Sequence, residues 1–312
     1  MRIERSYSFT APVETSKVRA DFFLSSNIAD LSRSALTGDL CEIYINGSPA
    51  KKSSVVRGGD TVELFYVADV FEKVEKQDIP LDVIYEDSSM LVINKAQGMV
   101  VHPGAGNPDG TVVNALAWRY GDSFIDNMAD ECDIARPGIV HRLDKDTSGV
   151  LVIALTPHAH ENLSSQFQNR ETEKYYLAFC DGLFVQKTGR IECLLARDNR
   201  DRKLFAPNPT RGKTSLSTYE VLRQYEKAAL VKVRIHTGRT HQIRVHMKST
   251  GHPVVGDVLY NNRLSRFPGC TLMLHSYSLD IKHPVTGQKM HFEAPVPERF
   301  TVLEHQLEEN LI

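Results

Sequence analysis

Six apolar residues, Val150 to Leu155, follow without a break on the nine-residue string HRLDKDTSG at positions 141–149. A run so apolar, with three β-branched side chains, suits a buried strand. The string before it holds Arg142, Asp144, Lys145 and Asp146, which cannot enter a core without partners. The chain must therefore deliver a charged loop straight into the interior of a sheet, and such a loop faces solvent or a cleft. Local chemistry leaves two readings open. In one, Asp144 and Asp146 are turn residues, Thr147-Ser148-Gly149 closes the turn and the cations are solvated. In the other, Asp144 is a carboxylate held between two cations and does chemistry.

The rest of the chain has two textures. Residues 1–66 read as a small separate domain: a helix begins near Val18, Ser32-Arg33-Ser34 can cap a second helix ending at Gly38, and Glu42–Gly47 is a strand running into an Asn-Gly turn. A further turn and strand follow at Gly58–Leu64. Residues 67–80 are charged, lack glycine and end at Pro80, the marks of a linker. Beyond Leu81 the pattern is strand-rich, with strands at Asp82–Tyr85, Leu91–Lys95, Thr172–Cys180 and Ala228–His236 and two more around the turn at 284–287. Helices are expected from Thr111 and over His158–Gln168. The acidic stretch 121–136 reads as an exposed irregular insertion, and 301–312 as a tail.

The formal net charge is only -2, yet residues 170–250 hold 17 Lys+Arg against 8 Asp+Glu, while residues 67–140 hold 5 against 13. A basic segment inside a mildly acidic chain is a way to present a polyanion-binding face. Other classes find little support. Five scattered cysteines without a C-x-x-C pair suggest neither a disulfide framework nor a zinc site. His236, His241 and His246 are spaced by fives, which gives no single metal-binding face on a helix or strand. The glycine-rich loop Gly98–Gly106 lacks G-x-x-x-x-G-K-[ST] and does not open a helix with G-x-G-x-x-G, so no nucleotide site is read there. No metal and no cofactor are expected. No apolar run approaches the roughly 18 residues of a membrane span, and the first residues lack the pattern of a signal peptide. The expectation is a cytoplasmic protein.

Several strings together resemble one family. HRLDKDTSG, with ARPGIV before it and VLVIALT after it, resembles the signature of the RluA/RluD-type pseudouridine synthases. VVHPGAGNPDGTVVNAL at 100–116, TGRTHQIRVH at 237–246 and HPVVGDVLY at 252–260 fit the same family, in particular its large-subunit ribosomal RNA branch. The amino-terminal pattern of SRS, INGxxxKK and GGDTVEL resembles the alpha-L RNA-binding motif.

The resemblance implies an α+β fold with a mixed, mainly antiparallel central sheet and flanking helices over residues 81–300, and a small α/β RNA-binding domain before it. It implies isomerisation of uridine to pseudouridine, with Asp144 as nucleophile, Arg244 as its salt-bridge partner and Tyr176 stacking on the base. Tyr175 is adjacent, and since neighbouring strand residues point to opposite faces, only one of the two can face the cleft. Arg142 becomes the candidate to fill the space left by a flipped base, and Leu143 a packing residue. Arg33, Lys51, Lys52, Arg239 and His241 are expected to contact RNA. The implied partner is structured 23S ribosomal RNA, free or in the large subunit or its precursor, met by a monomer. Two rivals remain: a non-catalytic RNA-binding assembly factor, and a glycoside hydrolase in which Asp146 would be the second carboxylate.

Overall fold

A computed structural model describes residues 2–311 apart from 29–30, 32–35, 37–40, 70–73, 105, 130–135, 199 and 202. The second helix expected at Ser32–Gly38, and with it Arg33, lies outside the described residues. The chain forms two compact units, Met1–Lys73 and Val74–Ile312.

The first unit contains β1 (Arg2–Thr10), β2 (Val18–Arg19), α1 (Ala20–Asn27), β3 (Cys41–Ile45), β4 (Ser48–Ala50), β5 (Val55–Val56) and β6 (Thr61–Asp69). Four strands make an antiparallel sheet in the order β1-β6-β3-β4, and β2 pairs with β5. The Asn-Gly turn is as expected: Asn46 and Gly47 both have positive φ, 52° and 75°, the conformation that matches a two-residue hairpin to strand twist. Phe23 and Leu24 of α1 pack with Ile43, Val62 and Leu64 in this unit's core. The linker expected at 67–80 is not one at either end. Strand β6 stays paired to β1 as far as Asp69. On the other side Val74 is buried in the second core, and the carbonyl of Glu75 accepts from Asn114 Nδ2 at 2.8 Å. A charged composition hid a strand end and an anchored segment, because only one side chain in two needs to be apolar along a half-buried strand.

The second unit contains β7 (Val83–Glu86), β8 (Met90–Lys95), α2 (Val112–Tyr120), α3 (Asp122–Ala129), β9 (Ser148–Ala154), α4 (Pro157–Gln168), β10 (Glu173–Asp181), β11 (Thr188–Arg197), β12 (Phe205–Asn208), β13 (Lys213–Gln224), β14 (Ala228–Ile235), α5 (Gln242–Ser249), β15 (Leu274–Lys282), β16 (Lys289–Glu293) and α6 (Glu298–Glu308). Its ten-stranded sheet runs β12-β11-β13-β14-β10-β15-β9-β8-β7, with β16 beside β15. All described pairs are antiparallel except β9 with β15. The α+β class with a mixed, mainly antiparallel sheet is thus the observed one. Every residue of β9 is buried, as a continuous apolar run in the middle of a sheet requires. Among the described residues no helix is long and apolar enough to cross a membrane.

Two segments differ from the sequence reading. The stretch taken as an irregular insertion contains α3, whose Phe124, Ile125 and Met128 are buried in the main core. The stretch taken as a tail is most of α6, which buries Phe300, Leu303 and Leu307 against β10 and its neighbours. Both are short helices whose apolar residues recur at helical spacing but are outnumbered by charged ones, so average polarity outweighed periodicity.

The loop 141–147 enters β9 where β9 touches β15. There Gly149 has φ 114°, and a Cβ on it would stand 2.1 Å from the carbonyl oxygen of Ser276. Gly149→Ala must therefore push the two central strands apart. It is expected to lower stability by roughly 2 kcal/mol or more, read as a shift of the urea midpoint; an unchanged midpoint would contradict the close approach.

Candidate active site

The charged loop is braced largely through its backbone. Leu143 is buried, as a packing residue should be. The Thr147 N–H donates to the Asp144 carbonyl at 3.1 Å, and the Gly98 N–H to the Lys145 carbonyl at 2.9 Å. Gln97 Nε2 donates to the Asp146 carbonyl at 2.9 Å. Lys95, at the end of β8, is fully buried and donates to the carbonyls of Ala96, Met99 and Lys145 at 2.8, 2.7 and 3.1 Å. Burial pushes its pKa down to about 7, while Asp146 and Asp144 pull the other way. Three carbonyl acceptors match the three N–H bonds of an ammonium, which favours the charged form. The glycine-rich loop rejected as a nucleotide site thus helps to brace the charged loop.

The second part of the site is α5. His241 precedes it in a left-handed conformation, φ 57°, so the chain turns sharply from β14 and presents the first turn of α5 to the loop. Arg244 lies in that turn. Its Nη1 reaches Asp144 Oδ2 at 3.4 Å, the pairing expected, but its principal partner is Asp257, bound through Nε at 2.7 Å and Nη2 at 2.8 Å. Asp257 Oδ1 also accepts from the N–H groups of Leu259 and Tyr260 at 3.0 and 3.1 Å, and its side chain has no exposure. Burial works against the Arg244 charge, yet Asp257 and then Asp144 outweigh it and hold the guanidinium's pKa above its usual value. The guanidinium also lies 5.1 Å over the Tyr260 ring, a cation–π placement.

His241, expected as an RNA contact, lines the cleft beside the carboxylate, with Nε2 at 3.8 Å from Asp144 Oδ2. The Tyr260 hydroxyl accepts from the Phe205 N–H at 2.9 Å and lies 2.8 Å from His241 Nδ1. That arrangement lets Tyr260 donate to Nδ1 and leaves Nε2–H facing Asp144. Burial lowers the His241 pKa, with Asp144 opposing. The three histidines spaced by fives go to different neighbours: His236 to Thr218, His241 to Tyr260, and His246 to Ser215 and Ser217.

Of the two adjacent tyrosines on β10, Tyr176 lines the cleft and is buried. Burial pushes its hydroxyl up to about 12. Tyr175 points to the other face, under Lys232 Nζ at 4.6 Å. The cleft itself encloses about 530 Å³. Among the described residues lining it are five cations, Arg142, Arg170, Lys174, Arg239 and Arg244, and one carboxylate, Asp144, whose side chain is 18% exposed. Arg142 is exposed and has no carboxylate partner among the described residues. Arg239 Nε donates to the Thr214 carbonyl at 3.1 Å. Asp146, weighed as a second catalytic carboxylate, is exposed and does not line the cleft. Lys51 and Lys52 lie in the other unit, between β4 and β5, exposed and half-buried respectively.

The sequence reading missed Asp257, Tyr260, Lys95 and Lys174. Asp257 stood inside a quoted string, but nothing local says which cation a buried carboxylate will meet. Lys174 had a signal that went unused: it is two residues from Tyr176 on a strand and so shares its face.

Comparison with known proteins agrees with this architecture. Residues 89–249 match the profile of the RNA pseudouridylate synthase family. The chain belongs to that family and is an RNA pseudouridine synthase. It is 42% identical, over 96% of both chains, to an uncharacterized RNA pseudouridine synthase of Aquifex aeolicus. It is 37% identical to the ribosomal large subunit pseudouridine synthase D of Vibrio parahaemolyticus, over 93% of this chain and 90% of that one. Among solved structures it is similar to human RNA pseudouridylate synthase domain containing 1, with a TM-score of 0.56, 27% identity and coverage of 70% of this chain and 84% of that one.

The Arg244–Asp257 pair yields a prediction with two parts. Arg244→Met leaves the Asp257 carboxylate buried without its cation and should lower stability by about 3–5 kcal/mol. Adding Asp257→Asn removes that charge while keeping an acceptor for the Leu259 and Tyr260 N–H groups, and should recover at least half of the loss without restoring turnover. Denaturant melts of the single and double variants check this; a double variant no more stable than the single one would show that the buried charge is not the source of the loss.

Proposed function

We propose that this enzyme isomerises uridine to pseudouridine in large-subunit ribosomal RNA, with Asp144 as nucleophile acting on a uridine flipped out of its stack. The observation that carries the reading is a lone carboxylate in a cleft whose other ionised groups are cations. Such a cleft suits a polyanionic substrate and one anionic catalytic group. The relatives named ribosomal large subunit pseudouridine synthase D support the choice of RNA.

The reaction breaks the bond from ribose C1′ to N1 of uracil and forms one from C1′ to C5. The C5 proton leaves and N1 gains one, so no atom is lost and no electrons are exchanged. As nucleophile, Asp144 forms a bond to the nucleotide through a carboxylate oxygen. That bond breaks again before the product leaves, so the carboxylate is regenerated while the uracil ring supplies the electrons of the new C1′–C5 bond. Arg244, held by Asp257, orients the carboxylate. Tyr176 stacks on the extracted base. Arg142, exposed, lining the cleft and without a carboxylate partner among the described residues, enters the gap left in the RNA. In this reading the first unit is the alpha-L RNA-binding domain, with Lys51 and Lys52, and Arg33 outside the described residues, meeting phosphates.

Asp144→Asn is nearly isosteric and should abolish pseudouridine formation while RNA affinity stays within a few fold, measured by nucleotide analysis and filter binding. Turnover by the purified variant would overturn the assignment of Asp144. Arg142→Ala should reduce modification of a uridine held in a stem at least tenfold more than that of the same uridine in an unstructured oligonucleotide, because flipping from a stem costs about a few kcal/mol that the oligonucleotide does not require. Equal losses on both substrates would remove Arg142 from base flipping.

A further inference from the structure

The cleft is also lined by Phe167 and Gln168 of α4, by Arg170 just after that helix, and by Lys174 of β10. Lys174 is 9% exposed. Its Nζ lies 5.3 Å over the Phe167 ring, and among the described residues it has no carboxylate partner and no hydrogen bond. Few lysines are so buried without a counter-ion, because desolvating an ammonium is costly and a ring face returns only part of that cost. Two other buried cations in this unit are paired: Lys95 with three carbonyls and Arg244 with Asp257. Among the described residues Lys174 is the buried cation that lines the cleft without a carboxylate partner or a hydrogen bond.

Arg170 repeats the pattern by other means. Helix α4 ends with the Glu171 N–H bonded to the Gln166 carbonyl at 2.9 Å and the Arg170 N–H to the Phe167 carbonyl at 3.3 Å, a left-handed helix end that usually takes glycine. Arg170 occupies it with φ 62°, a strained choice for a residue with a Cβ. A cation does suit a helix carboxyl end, but Arg170 is exposed, lines the cleft and has no carboxylate partner among the described residues.

We infer that Lys174 and Arg170 form a subsite for a backbone phosphodiester of the RNA, next to the site of the extracted uridine. Alternation along β10 places Lys174 on the face of Tyr176, about 7 Å away along the strand, so a base against Tyr176 and a phosphate at Lys174 can belong to one nucleotide or to neighbours. The inference rests on the reading that a flipped uridine of RNA enters this cleft. Its ligand is defined by chemistry: a singly charged phosphodiester, taken by a point charge and a fork of N–H donors.

The test is equilibrium binding of a ribosomal RNA stem-loop to the full-length protein in the Asp144→Asn background, so that turnover does not intrude. Lys174→Met should weaken binding about tenfold and reduce the slope of log K against log salt by about 0.7–0.9, the share of one phosphate; Lys174→Arg should restore most of both. Arg170→Gly should weaken binding while the protein melts at or above the temperature of its parent, an opposition of sign that a structural role would not produce. A walk of single neutral methylphosphonates through the stem-loop should find one position that weakens the parent but leaves the Lys174→Met variant unaffected. An unchanged salt slope, or the absence of any coupled phosphate, would make Lys174 a packing residue and overturn the subsite. If uridine is isomerised but no phosphate couples, the subsite falls alone; if a phosphate couples while the wild-type protein leaves ribosomal uridines unmodified, the subsite stands and the proposed reaction falls.

Discussion

One guanidinium joins the two halves of this site. Arg244 is 7% exposed by its side chain and spends two of its N–H bonds on Asp257, which is wholly buried, leaving Nη1 to reach Asp144 at 3.4 Å. A buried ion pair of this kind contributes little net stability, since desolvation offsets most of the attraction. What it supplies is direction. A fork anchored on one side has little rotamer freedom left, so the position of Nη1 is set by the backbone that carries Asp257. Gly256 on that backbone has φ 73°, and a Cβ there would stand 2.0 Å from the Thr271 carbonyl oxygen; the loop holding the anchor is itself tightly packed.

The carboxylate is placed by a different device. The loop around Asp144 is braced through its main-chain carbonyls, which accept from Lys95, Gln97 and Gly98, and the side chains of Arg142 and Asp144 are left to the cleft. Lys95 and Arg244 are therefore two buried cations with distinct tasks, one bracing the backbone and one facing the Asp144 carboxylate. Around them the cleft gathers Arg142, Arg170, Lys174 and Arg239. A formal net charge of -2 for the whole chain says nothing of this local field, because screening confines charges to their neighbourhoods of about 8–10 Å.

Much of the fold could be read from pattern. The buried run Val150–Ala154, the Asn46-Gly47 hairpin, the helix capped by Thr111 and the helix from Pro157 each follow from local rules of periodicity, turn chemistry and capping. The strings around Asp144 and Arg244 carried the family. Short helices rich in charge, α3 and α6, escaped because three buried residues among many polar ones leave a weak periodic signal, and their burial depends on the sheet they cover.

The residues 141–149 thus determined, before any fold was known, that a charged loop must feed a buried strand and that Asp144 stands between cations. Local rules left open which cation serves it; the family resemblance pointed to Arg244, and the tertiary structure shows why. Arg142 and Lys145 are its neighbours in the chain, yet Arg244, a hundred residues away, is its partner, and Asp257 is the partner of Arg244. Sequence proximity governs backbone conformation, while ion pairing in a low-dielectric interior depends on distances in space, and those are set by how β9, β14 and α5 pack.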